Sequence, residues 1–457
     1  MTYSVKRIGE HRGAPRLYFQ GQALAQAGFV RGARYGILVH KNKVELHLDA
    51  GAGLVSGKGE VPVIDINNAT VLEPFKGHEA VKVEMSKGVI TISRLPSVAK
   101  AAERVKRAAA NVVASIAVAG VCFGGGILDH SAHAGLLDAG VKSHTVMVNE
   151  IDEGLVEHAR QHNPVIDSGT RLYAAPLQEL IQDDEAMAQL PPADLLVAGI
   201  PCSGASKAGK SKHGLTMMED HPEVGHLAHG FLVVLNKVNP AVFLLENVPE
   251  YQTCASAQII RQQARDMGYV TQEVVLDAQD FGSLERRVRW FMVGATRGID
   301  VNLHDLAPAV RPVRTVADIL DKHDNHHWGE FAYLKDKAVR DKAAGKGFQM
   351  QIVSPSDTKV PTLRKGYHKG GSTDPLLQHP TNPNLLRLFS GDEHARIKGV
   401  DPILGEGLSN TDKHIMYGQG VCPGPVIAIA SRIGTALRSA SDSQPVQQAY
   451  RLDRAVG

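Results

Sequence analysis

From Ile116 onward the chain repeats one pattern: a short apolar run, a glycine-bearing turn, then a helical stretch. The apolar runs are Ala117-Val-Ala-Gly-Val, Thr145-Val-Met-Val, Asp194-Leu-Leu-Val-Ala and Ala241-Val-Phe-Leu-Leu. Runs of this kind are strands buried on both faces of a parallel sheet. Segments 151–162 and 224–238 between them carry helical patterns. Strands alternating with helices predict a doubly wound, Rossmann-like α/β domain. It extends to about Gly294, where Trp290-Phe-Met-Val-Gly closes a last strand.

That domain, 116–294, is too small for the 457 residues, and a chain of this length is expected to hold two or three domains. Residues 1–97 read as a β-rich N-terminal domain, with alternation in Tyr35-Gly-Ile-Leu-Val-His and Ala80-Val-Lys-Val-Glu-Met and a hairpin turn at Lys87-Gly88. Residues 98–115 read as a linker helix, 295–385 as a small irregular region, 386–437 as a return to helix and strand, and 438–457 as a polar tail. No apolar run approaches the roughly 18 residues that span a bilayer. The N-terminus lacks the apolar core of a signal peptide, so a cytoplasmic protein with no membrane partner is expected. The cysteines Cys122, Cys202, Cys254 and Cys422 are far apart, which argues against a disulfide framework and a structural zinc site. His323, His326 and His327 with Asp324 read as a solvated polar loop, and no metal is expected.

Formal net charge is only +2, but it is unevenly spread. Residues 1–43 set eight Lys/Arg against Glu10 alone, and Lys335–Lys369 sets nine against three acids. Charge alone favours solvated surface; two basic islands also suit a polyanion partner.

The chemistry-bearing residues stand where the apolar runs end. Phe123-Gly124-Gly-Gly126 follows the first run, where glycines let a ligand approach backbone N–H groups. Glu150-Ile151-Asp152 ends the second, where an acid reads ribose hydroxyls in a doubly wound fold; an N-cap for the next helix is the competing reading. No P-loop motif is present. Pro201-Cys202-Ser203 follows the third run, placing a thiol in a turn where it can reach a ligand. A loop rich in Gly, Ser and Lys, including Lys207, comes next and suits phosphate. Glu246-Asn247-Val248 ends the fourth run, and a carboxyl buried there suits a general acid. Arg287 and Arg289, at alternate positions, point to one side of an extended segment.

This set, in this order, resembles the cytosine-5 methyltransferase family over about 116–437. Cys122 to Asp129 are similar to its FxGxGG cofactor loop, Pro201-Cys202 to its Pro-Cys, Glu246-Asn247-Val248 to its ENV motif, and Glu285-Arg286-Arg287-Val288-Arg289 to its QxRxR segment. Arg387-Leu-Phe-Ser-Gly-Asp-Glu393 resembles its RxLTxxE helix, and Gly418-Gln419-Gly420-Val421 its GNxV strand. The resemblance implies S-adenosyl-L-methionine as cofactor, held by Cys122, Phe123, Gly124, Gly126, Glu150, Ile151, Pro201, Gln419 and Val421. It implies catalysis by Cys202, Glu246, Arg287 and Arg289 on a cytosine flipped from double-stranded DNA, with 295–385 as target-recognition region. Ser203, Lys207, Arg364 and Lys365 are then expected to meet the substrate, with Arg364 reading guanine. A cognate restriction nuclease is the implied partner in a restriction-modification setting.

Several positions depart from the pattern. Cys122 stands where Phe is usual, Ser203 and Glu285 where Gln is usual, and Gln419 where Asn is usual. Thr170-Arg171-Leu172 occupies the place expected of a Gly-Asp-Ile adenine contact. Residues 14–50 resemble the swapped-hairpin β fold of AbrB- and SymE-like proteins, which implies a homodimer and phosphate contacts through the N-terminal domain. Transfer to tRNA and a catalytically silent DNA-binding regulator remain the alternatives, and the intact Pro201-Cys202 and Glu246 argue against silence.

Overall fold

The computed structural model describes residues 1–201, 204–205, 214–306, 313–322 and 326–442. The described residues divide into two compact units, Met1–Glu103 and Arg104–Asp442.

The first unit is built on two antiparallel sheets. Six strands lie in the order Thr2–Arg7, Ala80–Ser86, Val89–Arg94, Lys43–Leu48, Arg34–Val39, Gly53–Leu54, and four in the order Gly9–His11, Ala14–Gln20, Val61–Ile66, Ser56–Lys58. Alternation makes this possible: Val81, Val83 and Met85 are buried, while Lys82 and Glu84 between them lie toward solvent. The Lys87-Gly88 turn joins Ser86 to Val89 as expected, with Gly88 at φ 80°. Residues 14–50 supply strands to both sheets. The basic excess of this stretch is partly spent internally, since the Arg16 fork closes on Asp65 at 2.7 and 2.8 Å and Lys43 meets Glu45 at 2.7 Å.

In the second unit seven strands form one sheet: β1 (Ile116–Val121), β2 (Ser143–Glu150), β3 (Arg171–Ala174), β4 (Leu195–Gly199), β5 (Val242–Asn247), β6 (Tyr269–Asp277) and β7 (Val288–Thr296). Their spatial order is β3-β2-β1-β4-β5-β7-β6, and only β7 runs antiparallel to its neighbours. Strand order reverses between β1 and β4, where a doubly wound sheet opens a ligand crevice at its carboxyl edge. All six residues of β1 and Leu195–Ala198 of β4 are buried, which explains their unbroken apolarity.

Among the described residues the helices of eight residues or more are α1 (Pro96–Asn111), α2 (Ile127–Asp138), α3 (Glu153–His162), α4 (Leu227–Val238), α5 (Ala255–Asp266), α6 (Ala332–Ala343), α7 (Gly391–Lys398), α8 (Asn410–Gln419) and α9 (Pro423–Asp442). The C-terminal half of α1 is not a free linker. Arg104 is buried, donates to Thr296 Oγ1 at 2.7 Å and Met267 O at 2.7 Å, and lies 3.7 Å over the Tyr269 ring. Arg107 and Asn111 both hold the buried Asp194 carboxylate, which also accepts the Ala117 N–H.

Two sequence expectations need correction. Gly418 and Gln419 end helix α8 rather than form a strand, because Ser409 caps a helical turn that runs unbroken to Gln419. The segment 438–442, expected in a polar tail, is the last part of α9, whose Ile433, Ala436 and Leu437 stay buried. The 295–385 region, expected to be irregular, carries α6 and the short strands Ile352–Val353 and Leu376–Gln378, and Val316, Val360, Leu363, Tyr367 and Leu377 pack there with Leu284 and Phe389. Among the described residues no single helix is long and apolar enough to cross a membrane; α8 and α9 pass that test only as a pair bent by 47°, with Val426, Ile429 and Ile433 in the core.

Candidate active site

The carboxyl edge of the sheet gathers the strand-end residues. After β1 the chain enters a left-handed turn at Cys122 (φ 53°) and at Gly124 (φ 57°), and Gly126 (φ 74°) opens α2. The Gly124 N–H donates to Glu150 Oε2 at 2.6 Å, tying this loop to the tip of β2. Glu150 Oε1 accepts the Asp152 N–H at 3.2 Å, while Asp152 caps α3 through Leu155 N–H. The capping role therefore falls to Asp152, and Glu150 faces the glycine loop with acceptor capacity left. Ile151 beside it is 65% exposed, an apolar side chain on offer at the crevice. Phe123 is buried against Val148, Ala159 and Ile166 and braces the loop from behind.

Gln419 is exposed at the end of α8, and its Nε2 would lie 3.9 Å from a Cβ at Gly124. Val421 is buried in the core, so it supports the loop rather than lines it. Residue 170 lies before β3, at the end of the strand away from the crevice. The tip of β3 that does reach the carboxyl edge is followed by Ala175-Pro176, which offer no carboxylate. Arg171 is turned to the Gln189 carbonyl.

At the ends of β4 and β5 the acid lies beside the stretch that leads to Pro201. Asn247 Nδ2 donates to Ile200 O at 3.0 Å, fixing the carbonyl just before Pro201. Glu246 and Gly199 are paired neighbours across β4 and β5, and a Cβ at Gly199 would sit 3.9 Å from Glu246 Oε2 and 3.8 Å from Cys122 O. The carboxyl therefore faces the space beside the glycine loop. Arg289 Nε meets Glu246 Oε1 at 3.0 Å. Burial pushes the Glu246 carboxyl above the usual carboxylate range, and Arg289, Arg287 and Lys398 oppose that rise. Cys202, Ser203 and Lys207 lie outside the described residues.

Residues 128–435 match the model of the C-5 cytosine-specific DNA methylase family. The chain belongs to that family. Type II methyltransferase M.NlaX of Neisseria lactamica is 29% identical over 264 residues, 56% of this chain and 80% of that protein. Type II methyltransferase M.SsoII of Shigella sonnei is 27% identical over 55% of this chain and 66% of its own length. The fold is that of S. pombe Dnmt2 methyltransferase, with a TM-score of 0.54 at 18% identity over 70% of this chain and 98% of that one. The Rossmann-like methyltransferase fold and methyltransferase activity follow from these relationships.

Within this methyltransferase the expected roles of three arginines change. Arg287 does not stand beside Arg289 at the acid: it is buried, with Nη1 3.4 Å from Glu285 Oε1 and Nη2 donating to Gly418 O at 3.2 Å. Arg364 is no open fork for guanine, because its Nη2 donates to the buried Asp374 at 2.7 Å and to Thr373 at 3.0 Å. Lys365 is exposed, and the 364–365 backbone packs so tightly on Gly418 that a Cβ there would approach Arg364 C and Lys365 N to 2.4 Å. Arg387, which the sequence marked only as part of a helix signature, forms a buried fork on both oxygens of Glu393 at 2.6 and 2.7 Å. Glu393 closes the capping box of α7 with Ser390.

Of the histidine-rich loop, His323 and Asp324 lie outside the described residues. His326 bonds Asp321 at 2.9 Å, and Asp321, His326 and Glu393 present ligand atoms within 4.8 Å of one another. Arg396 and Arg387 already neutralise those carboxylates, which leaves a cation nothing to balance.

Proposed function

We propose that the protein methylates C5 of cytosine in double-stranded DNA through a covalent Cys202 adduct, with S-adenosyl-L-methionine as methyl donor. The observation that carries this reading is the pairing of a Glu246 only 12% exposed, held toward its protonated form, with an Asn247 that grips the carbonyl leading into Pro201-Cys202.

The crevice residues fit the cofactor. A glycine loop with two positive-φ glycines leaves open backbone, Glu150 presents acceptor oxygens for ribose hydroxyls, and exposed Ile151 suits an adenine face. Bound there, S-adenosyl-L-methionine supplies an electrophilic methyl group. Cytosine must leave the stack to reach the sheet edge. The Cys202 thiolate adds to C6, and the electrons of the C5–C6 double bond pass into the ring. Glu246 gives its proton to N3, which keeps the adduct neutral and C5 nucleophilic. Arg289 fixes the Glu246 carboxyl by charge-assisted pairing at 3.0 Å. Once C5 carries the methyl group and S-adenosyl-L-homocysteine has been released, the C5 proton passes to water, the C5–C6 double bond re-forms with departure of the Cys202 thiolate, and N3 returns its proton to Glu246.

Tritiated methyl transfer to duplex DNA, with bulk tRNA and acid-free controls, tests the reading; incorporation into tRNA alone would move the substrate to RNA. Glu150→Ala is expected to raise the dissociation constant for S-adenosyl-L-methionine roughly tenfold or more, the scale of lost charged hydrogen bonds. Unchanged affinity in calorimetry would place the ribose elsewhere.

The N-terminal unit is assigned a phosphate-contacting role, with dimerisation, and the 295–385 region the base-reading role. Over 1–97 thirteen Lys/Arg face eight Asp/Glu, so a positive excess survives the internal pairs. Phosphate contacts add affinity and salt dependence without sequence information. Deleting 1–97 is expected to weaken DNA binding and flatten its salt slope while the methylated sequence stays the same. A changed sequence in bisulfite reads would bring this unit into readout. A cognate nuclease belongs to the same reading, by analogy with Type II relatives, and cytoplasmic DNA is the expected place of action.

A further inference from the structure

The N-terminal unit contains one pattern twice. Strand, short helix and hairpin at Ala14–Gln20, Gln22–Gln26, Arg34–Val39 and Lys43–Leu48 recur at Val61–Ile66, Ala69–Leu72, Ala80–Ser86 and Val89–Arg94. The strand and helix return after 47 residues and the hairpin after 46. Counterpart strands pair with each other, so that Tyr18 stands opposite its equivalent Asp65, and Glu45 opposite its equivalent Thr91. One chain therefore holds a two-fold pair of its own, complete without a hairpin from a second chain.

The two halves differ at their outer edges. Ala80–Ser86 is flanked over six residue pairs by Thr2–Arg7, and its Val83 and Met85 are buried. The equivalents of these two on Arg34–Val39 are Ile37 and Val39, which are 37% and 47% exposed. Here the flanking strand is only Gly53–Leu54, and it pairs with Arg34 and Tyr35 alone. Leu38, on the other face of the strand, is 52% exposed. Three consecutive apolar residues thus lie open along a sheet edge. Gly36–Val39 contains no charge, no proline and no break in register, the features that discourage an edge from pairing. The His40 N–H donates to Lys43 O at 2.8 Å and the Asp49 N–H to Arg34 O at 3.3 Å, so the even-numbered residues aim their backbone groups at Lys43–Leu48. Those of Ile37 and Val39 point outward, past the end of Gly53–Leu54.

We infer that the Gly36–Val39 edge binds a second copy of this chain, the two edges pairing antiparallel about Leu38. One register uses both outward-facing residues: Ile37 of each copy meets Val39 of the other, because Tyr35 is already paired with Gly53 and Lys41 lies in the hairpin turn. Leu38 then meets its own copy on the two-fold axis, and no like charges stand opposite each other. His40 of the second copy comes opposite Gly36. The Asp49 carboxylate already stands there, since a Cβ at Gly36 would lie 2.6 Å from Asp49 Oδ2. An imidazole that bonds Glu45 at 3.2 Å within its own chain thus gains a second acid across the contact. The same surface serves both copies, as a two-fold contact requires. The inference rests on the dimerisation assigned to this unit and gives it a surface; it is independent of methyl transfer.

The test is sedimentation velocity of the full chain over about a hundredfold range of micromolar concentrations, where so small a contact is expected to exchange. One-chain and two-chain species in concentration-dependent exchange are expected. Val39→Pro removes an outward N–H, leaves the ladder to Lys43–Leu48 whole, and is expected to weaken association about tenfold or more. Leu38→Cys is expected to link two copies through position 38 under mild oxidation, because opposed residues of a non-hydrogen-bonded antiparallel pair lie within disulfide reach. Leu54→Cys, on the neighbouring strand and 57% exposed, is expected not to link. Mass spectrometry maps the bond, and circular dichroism checks that each variant folds. A chain that stays single throughout overturns this inference and the dimerisation reading together. A two-chain species that Val39→Pro leaves unweakened, or that links through Leu54→Cys rather than Leu38→Cys, keeps dimerisation and overturns the edge as its site. If Val39→Pro fails to fold, the Leu38→Cys link decides.

Discussion

Cys202→Ser is expected to abolish methyl transfer, a loss on the order of 10⁴-fold or more, and to leave S-adenosyl-L-methionine binding intact. The argument starts from the other three thiols. Burial and the nearby Glu150 charge push Cys122 up to about 12, and burial pushes Cys422 up to about 11, so both stay protonated at neutral pH. Cys254 donates its thiol to Glu250 O at 3.5 Å, ahead of α5. Cys202 follows Pro201 beyond the end of β4, after a carbonyl that Asn247 restrains. A duplex containing 5-fluorocytosine should trap the unaltered enzyme, because fluorine at C5 cannot leave as a proton does. Mass spectrometry of the adduct reads the site. A bond to Cys122, Cys254 or Cys422 would refute the assignment.

The central sheet was legible because burial on both faces leaves an unmistakable apolar run, as in Ile116–Val121 and Val242–Asn247. Strand ends were equally legible, since Glu150, Pro201 and Glu246 break those runs with residues a core does not tolerate. Partners distant in sequence were not. Nothing local announces that Glu285 meets Lys398, 113 residues on, or that Arg107 closes on Asp194, 87 residues on. Arg364 was misjudged for the same reason: its neighbours on the turn are basic and aromatic, while the acid that occupies it lies ten residues later, across the turn. The Gly418-Gln-Gly-Val segment was misjudged for another reason. Its two glycines suit a strand edge, but a Ser409 cap eight residues upstream from Tyr417 had already started a helix that tertiary packing carries to Gln419. Where the sequence pattern of 387–393 suggested only a helix start, the fold shows an Arg387–Glu393 fork over which the Trp328 ring lies, 5.0 Å from the guanidinium carbon. Breaking either side would strand a buried charge.

Glu246→Gln is expected to lower kcat by about 10²–10⁴-fold with little change in cofactor affinity. The amide keeps the size of the side chain and a hydrogen bond to Arg289, but it has no proton to give to N3. The pH profile separates proton donation from simple binding. Burial, the first cause of the shift, raises the Glu246 carboxyl; Arg289, Arg287 and Lys398 pull it back without cancelling the rise. The protonated form thus survives to higher pH than in an ordinary glutamate, and kcat should fall as pH climbs through that raised value. In Glu246→Gln this limb should vanish, leaving a low, flat rate over the same range. Arg289→Ala should displace the limb upward, since its guanidinium, 3.0 Å away, favours the ionised carboxylate. Single-turnover rates on a cytosine-containing duplex across pH 5–9 check all three, with the conserved geometry of the site monitored by cofactor binding. A limb that persists unchanged in Glu246→Gln would mean that another group delivers the proton, and the buried carboxyl at the end of β5 would then serve only to orient Arg289.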